Sequence, residues 1–126
     1  MRLHLFAALA VLCGLPLFGF GKKADLDQAV LDQLRKAGSD LSKPHNIEFF
    51  LYFPAEAAAS KACTQIQNMG FRVTVERAAK GPDWLCFATM TMVPDVKVLQ
   101  KTRRDFNSIA AANGGHYDGW GTGVVE

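Results

Sequence analysis

Asn46-Ile47-Glu48-Phe49-Phe50-Leu51-Tyr52-Phe53 repeats with a period of two. Ile47, Phe49, Leu51 and Phe53 share one face and Glu48, Phe50 and Tyr52 the other, so the stretch reads as a strand packed hard on one side. On either side the period changes. Pro54 stands where a helix can begin, and Ala55 to Met69 sets Ala59, Ala62, Ile66 and Met69 on one stripe at helical spacing before Gly70 ends it. Phe71, Val73 and Val75 alternate with Arg72, Thr74 and Glu76 in a second strand. Gly81-Pro82 marks a turn, and Trp84 to about Val93, rich in aromatic and β-branched residues, is a third strand. Asp95 is placed to cap a helix to about Asn113, with Val96, Leu99, Phe106, Ile109 and Ala110 on one face and Lys101, Arg103 and Arg104 toward solvent. Beyond Gly114 and Gly115, His116 to Trp120 supplies a short fourth strand or a tail across the sheet. Upstream, Ala24 to Ala37 carries Leu26, Ala29 or Val30, Leu34 and Ala37 on one side of a helix that Gly38 stops, and Ser39 to His45 reads as a loop around Pro44.

The order helix, strand, helix, strand, strand, helix, strand predicts an α+β fold. Its plan is the ferredoxin-like α/β sandwich, an antiparallel sheet with helices on one face, plus an extra N-terminal helix. Ile47, Phe49, Leu51, Phe53, Phe71, Val73 and Val75 form most of the expected core, each large side chain contributing about 1.5 to 3 kcal/mol on burial. The extra helix, or the C-terminal tail, is expected to cover Phe50 and Tyr52 on the other face.

A chain of 126 residues, 21% charged and 49% hydrophobic, fits one folded domain. Residues 1 to 21 hold one Arg and no acid, which leaves 13 basic against 12 acidic residues in the remainder. Bulk charge therefore gives no case for nucleic-acid binding. Residues 1 to 21 begin with Arg2 and run apolar from Leu5 to Phe20, the build of a signal peptide with cleavage after Gly21. The alternatives are an uncleaved membrane anchor, since the apolar run falls short of the ~20 residues of a full span, or a misassigned start. Export leaves residues 22 to 126 as a single periplasmic or secreted domain; the alternative is a membrane-anchored or cytoplasmic one.

No constellation for catalysis stands out, and no cofactor is implied. His45 and His116 occur without His-x-x-x-His spacing or a Gly-x-Ser-x-Gly elbow, and no Cys-x-x-Cys or Cys/His metal spacing is present. Cys63 and Cys86 read as packed thiols, or as a disulfide if helix and strand face each other in an exported chain. Phe50 and Tyr52 could stack bases, but no basic aromatic run accompanies them and Glu48 on the same face repels phosphate. The sharpest local feature is Gly114-Gly115-His116-Tyr117-Asp118-Gly119-Trp120-Gly121, where Tyr, Trp and an acid together suit a binding hot spot, or Trp120 folds back as a lid on the core.

Gly38-Ser39-Asp40-Leu41-Ser42-Lys43-Pro44-His45, Ile47 to Phe53, Gly70-Phe71-Arg72-Val73, Trp84-Leu85-Cys86, Met92-Val93-Pro94 and Tyr117-Asp118-Gly119-Trp120, in this order, resemble the regulator of ribonuclease E activity B family over about residues 25 to 120. The resemblance implies a ferredoxin-like sandwich and a non-catalytic protein that binds ribonuclease E and inhibits its RNA cleavage. The chain departs from the pattern in its leader, its near-neutral charge, and His116 where the tail motif often carries Glu. The expected partner is a protein, ribonuclease E if the domain is cytoplasmic, with no direct nucleic-acid contact and with membrane contact only through the N-terminal segment. Pro44, His45, Tyr117, Asp118 and Trp120 are the candidate partner-binding residues. The alternative is an envelope protein that keeps the fold for an unrelated binding role or a small enzymatic one.

Overall fold

Alternation along the first strand decides which way the whole sheet faces. The computed structural model describes residues 23–126, so the leader expected over residues 1 to 21 lies outside them. The elements run α1 (Lys23–Lys36), β1 (His45–Phe53), α2 (Glu56–Asn68), β2 (Arg72–Arg77), β3 (Trp84–Met92), α3 (Val96–Ala112) and β4 (His116–Gly121). One antiparallel sheet takes the order β2-β3-β1-β4, with β1 and β3 central, which is the expected α+β, ferredoxin-like plan. His45, Ile47, Phe49, Leu51 and Phe53 are buried along one face of β1.

Residues paired across antiparallel strands point to the same side. Leu51 pairs with Cys86 and Phe49 with Ala88, and these in turn with Val75 and Val73, so one face of the sheet is apolar from β2 to β1. The helices cover it. Phe49, Phe71 and Phe106 meet there with ring centroids 5.0 to 5.5 Å apart, in tilted and edge-on contacts that aromatic pairs favour. Asp95 accepts from the Lys97 N–H at 2.8 Å and so fixes the start of α3.

Helix α1 departs from the expectation that it covers Phe50 and Tyr52. Val30, Leu31 and Leu34 join the same core as Phe49 and Phe106, and α1 packs against α3 on the helical side of the sheet. The cause is Asp27, which is completely buried. Its carboxylate accepts Arg103 Nε at 3.0 Å, Arg103 Nη2 at 2.7 Å and the Trp120 indole N–H at 3.0 Å. A buried carboxylate is tolerable only when its lone pairs are met this way, and the nearest donors lie on α3 and β4.

Cys63 on α2 and Cys86 on β3 form a disulfide, with Cα atoms 5.7 Å apart and both side chains buried. It ties α2 to the central sheet across a separation of 23 residues, a constraint of about 3 kcal/mol in the chain-entropy account. Among the described residues no helix is long and apolar enough to cross a membrane.

Asp27→Ala is expected to lower unfolding free energy by about 3 to 5 kcal/mol, because it strands a buried guanidinium and an indole N–H. Urea unfolding of the variant beside the wild type measures this, and a loss under 1 kcal/mol would show that α1 is held by its apolar face instead.

Candidate functional site

Tyr117 and Trp120 are three residues apart, so simple strand alternation would send them to opposite faces. Both nevertheless face the helices. The pairing of β4 with β1 passes from Tyr117 opposite Leu51 to Gly119 opposite Phe50, so Asp118 is an extra residue in a β-bulge, and Trp120 then falls opposite Phe49. Gly119 takes φ +107°, which a residue with a side chain adopts only under strain. Trp120 is buried to 2% exposure with its indole N–H on Asp27. Tyr117 sets its ring edge-on to Phe106 at 5.8 Å and under the Arg103 guanidinium at 5.9 Å. The bulge thus commits both aromatics to packing, and of this motif the Asp118 side chain is exposed.

His45 corrects its loop assignment. It is the first residue of β1 and buried to 1% exposure. The Lys43 carbonyl can only accept, so Nδ1, 2.8 Å away, carries the proton and donates. In the neutral ring Nε2 then accepts from Ser39 Oγ at 2.6 Å, and that same oxygen accepts the Val125 N–H at 2.9 Å. The Asp40 N–H adds a bond to the Val125 carbonyl at 2.6 Å. A serine beside an oriented histidine has the parts of a nucleophile and base. Here both are buried and the hydroxyl is engaged with the chain's own tail, so the pair works as a clasp between the α1–β1 turn and the residues after β4. Pro44 next to it is exposed. Asp40 is held below the usual carboxylate range by the Ser42 hydroxyl and amide, which closes the same turn.

Away from the helices, the outward side of the β1–β4 edge brings together residues that the chain order separates. Tyr52 pairs with His116, their rings 5.8 Å apart and inclined by 30°. Burial pushes the Tyr52 phenol above its ordinary value, and the Asp118 charge adds to the shift. Asp118 is also raised, by desolvation, with His116 partly opposing it. No donor or cation among the described residues bonds its carboxylate. Gly115 permits this pairing, since a Cβ there would collide with the Tyr52 carbonyl and the Phe53 ring.

The rest of that face gives bases little to stack on. Phe50 and Phe87 pair at 5.5 Å, but Phe87 is only 4% exposed. The neighbouring groove of about 670 Å³ is lined by polar groups including Asn46, Glu48, Arg72, Thr74 and Thr89. Among the described residues no three His, Cys, Asp or Glu side chains are placed to hold a metal ion. Sequence reasoning missed the Ser39 clasp and Asp27. The signal for Asp27 was present, since it shares a helical stripe with Val30, Leu31 and Leu34 and an acid on an apolar face needs a partner. The Tyr52 and His116 pairing had no local signal.

A family model described as regulator of ribonuclease activity B matches residues 24–122, which takes in all four strands and all three helices apart from Lys23. Comparison with curated proteins returns no match.

Two outcomes follow from this geometry. Gly119→Ala should cost about 1 to 3 kcal/mol through strain at the bulge, seen as a lower midpoint in thermal unfolding. The native state holds the Asp118 proton more tightly than the unfolded chain does. The associated stability is present below the ordinary carboxylate range and is lost as pH rises through the shifted value. Asp118→Asn should therefore match the wild type in acid and exceed it near neutrality; a constant difference across a pH series of melts would contradict the assignment.

Proposed function

We propose that this chain, which belongs to the regulator of ribonuclease activity B family, is a non-catalytic protein-binding regulator that holds ribonuclease E through the outward edge formed by Tyr52, His116 and Asp118; Pro44 stands at the opposite end of β1, apart from that edge. The observation that carries the reading is the family match over residues 24–122, an unbroken run through the whole sheet. The site agrees with it in chemistry. Its one serine and histidine pair is closed off under the tail, whereas an aromatic, a histidine and an exposed acid stand outward, the composition of an interface hot spot. Inhibition requires no bond to be made or broken by this protein, only occupancy of a surface the ribonuclease needs.

A second reading concerns place. The apolar run Leu5 to Phe20 and the disulfide Cys63–Cys86 both favour an oxidising compartment outside the cytoplasm, reached by export with cleavage after Gly21 or by retention as an anchor. In that case the binding edge serves an envelope protein in place of ribonuclease E, with the fold kept and the partner changed.

The test is ribonuclease E cleavage of a labelled transcript with increasing amounts of this chain, purified from cells in its mature form. Slowed cleavage with saturation at a fixed ratio is expected, and unchanged cleavage at large excess would reject ribonuclease E as the partner. Cell fractionation with intact mass determination separates the places: loss of residues 1 to 21 in an extracytoplasmic fraction favours the envelope partner, and retention facing the cytoplasm favours the ribonuclease.

A further inference from the structure

The geometry points to a guanidinium group, an arginine side chain of the protein partner, as the group that seats against Asp118 on the Tyr52 and His116 rings. This rests on the binding role proposed above and names its chemistry.

Three features argue for arginine. The Asp118 carboxylate stands exposed at the bulge, its pKa raised by desolvation against the opposing charge of His116, and no hydrogen-bond donor among the described residues meets it. A cation placed beside it restores the lost stabilisation, so the position favours binding over the free state. Next to it the Tyr52 and His116 rings, in register across β1 and β4, lie 5.8 Å apart and inclined by 30°, and together form a small aromatic shelf. A guanidinium is planar, stacks on aromatic faces and offers paired N–H groups to a carboxylate, whereas an ammonium is a compact, strongly hydrated point charge without a face to stack. The strand then continues through Gly119 and Gly121, opposite Phe50 and Glu48, so no β4 side chain stands between the shelf and an approaching chain. Gly119 is fixed at that place by the bulge.

The charge of the face points the same way. Glu48, Glu76 and Asp118 share it with Arg72, giving an acidic surface on a domain that is close to neutral. An anionic partner, whether nucleic acid or a lipid headgroup, meets the wrong sign here. Lys97, Lys101 and Arg104, by contrast, are exposed on α3, on the helical side of the sheet.

The probe is N-acetyl tetra-arginine amide, with the tetra-lysine peptide as comparison, titrated into the isotope-labelled mature chain and followed by backbone amide NMR at moderate salt. Saturable shifts at Tyr52 and His116 to Gly119, several-fold tighter for arginine than lysine, are expected. Asp118→Asn should weaken the arginine peptide about five-fold, and His116→Ala should erase most of the preference over lysine. Equal binding by Asp118→Asn, equal binding of the two peptides, or shifts confined to the groove around Glu48 and Arg72 would each overturn the assignment. Ribonuclease E binding by the same variants separates the two levels. If Asp118→Asn keeps full affinity for the ribonuclease while losing the peptide, arginine recognition is not how the partner is held and the regulator reading stands. If the wild type binds the peptide but not the ribonuclease, the arginine site stands and the ribonuclease reading fails.

Discussion

Asp27 is the constraint on which the rest of the architecture turns. A carboxylate with no exposure to water must find its donors inside, and it finds three, two from Arg103 and one from Trp120. Satisfying them places α1 against α3 and not across the far face of the sheet. It requires the indole of β4 to point inward, which requires the bulge at Asp118, which turns Gly119 outward beside it. The outward face of β4 is therefore shaped by how one buried charge is satisfied.

The strands were legible because their chemistry is local. Ile47, Phe49, Leu51 and Phe53 recur every second residue beside Phe71, Val73 and Val75, and no tertiary knowledge is needed to see a sheet with one apolar face. Helix α3 was legible for the same reason, with Asp95 announcing its start. What escaped the sequence was everything set by distant partners. Asp27 reads as an acid suited to a helix start until Arg103 and Trp120 are brought to it. Tyr117 and Trp120 read either as contact aromatics or, for Trp120, as a lid on the core, and the bulge, which has no local signal, is what brings both to the core. His45 reads as a loop residue because Pro44 precedes it, and its burial depends on Ser39 and Val125 closing over it. Of the candidate contact residues, Asp118 and Pro44 are outward in the folded chain, and Tyr52 and His116 join Asp118 only through strand register.

Two kinds of crosslink hold the helical layer to the same face of the sheet at different places. The disulfide anchors α2 to β3, while the Asp27 cluster anchors α1 to α3 and β4. The covalent one needs an oxidant and the ionic one needs only exclusion of water, so the two halves of the helical layer respond to different conditions. The edge formed by Tyr52, His116 and Asp118 lies on the β4 side, where the ionic cluster governs.

The three donors of Asp27 lie 76 and 93 residues further along the chain. Synthesis begins at the other end. The first helix can therefore form early but cannot satisfy its buried acid until α3 and then β4 have been made, and non-local closures of this kind are the slow step in folding. The N-terminal helix is thus the first element made and among the last to be locked in place, so a fault anywhere in the later chain is felt at its start.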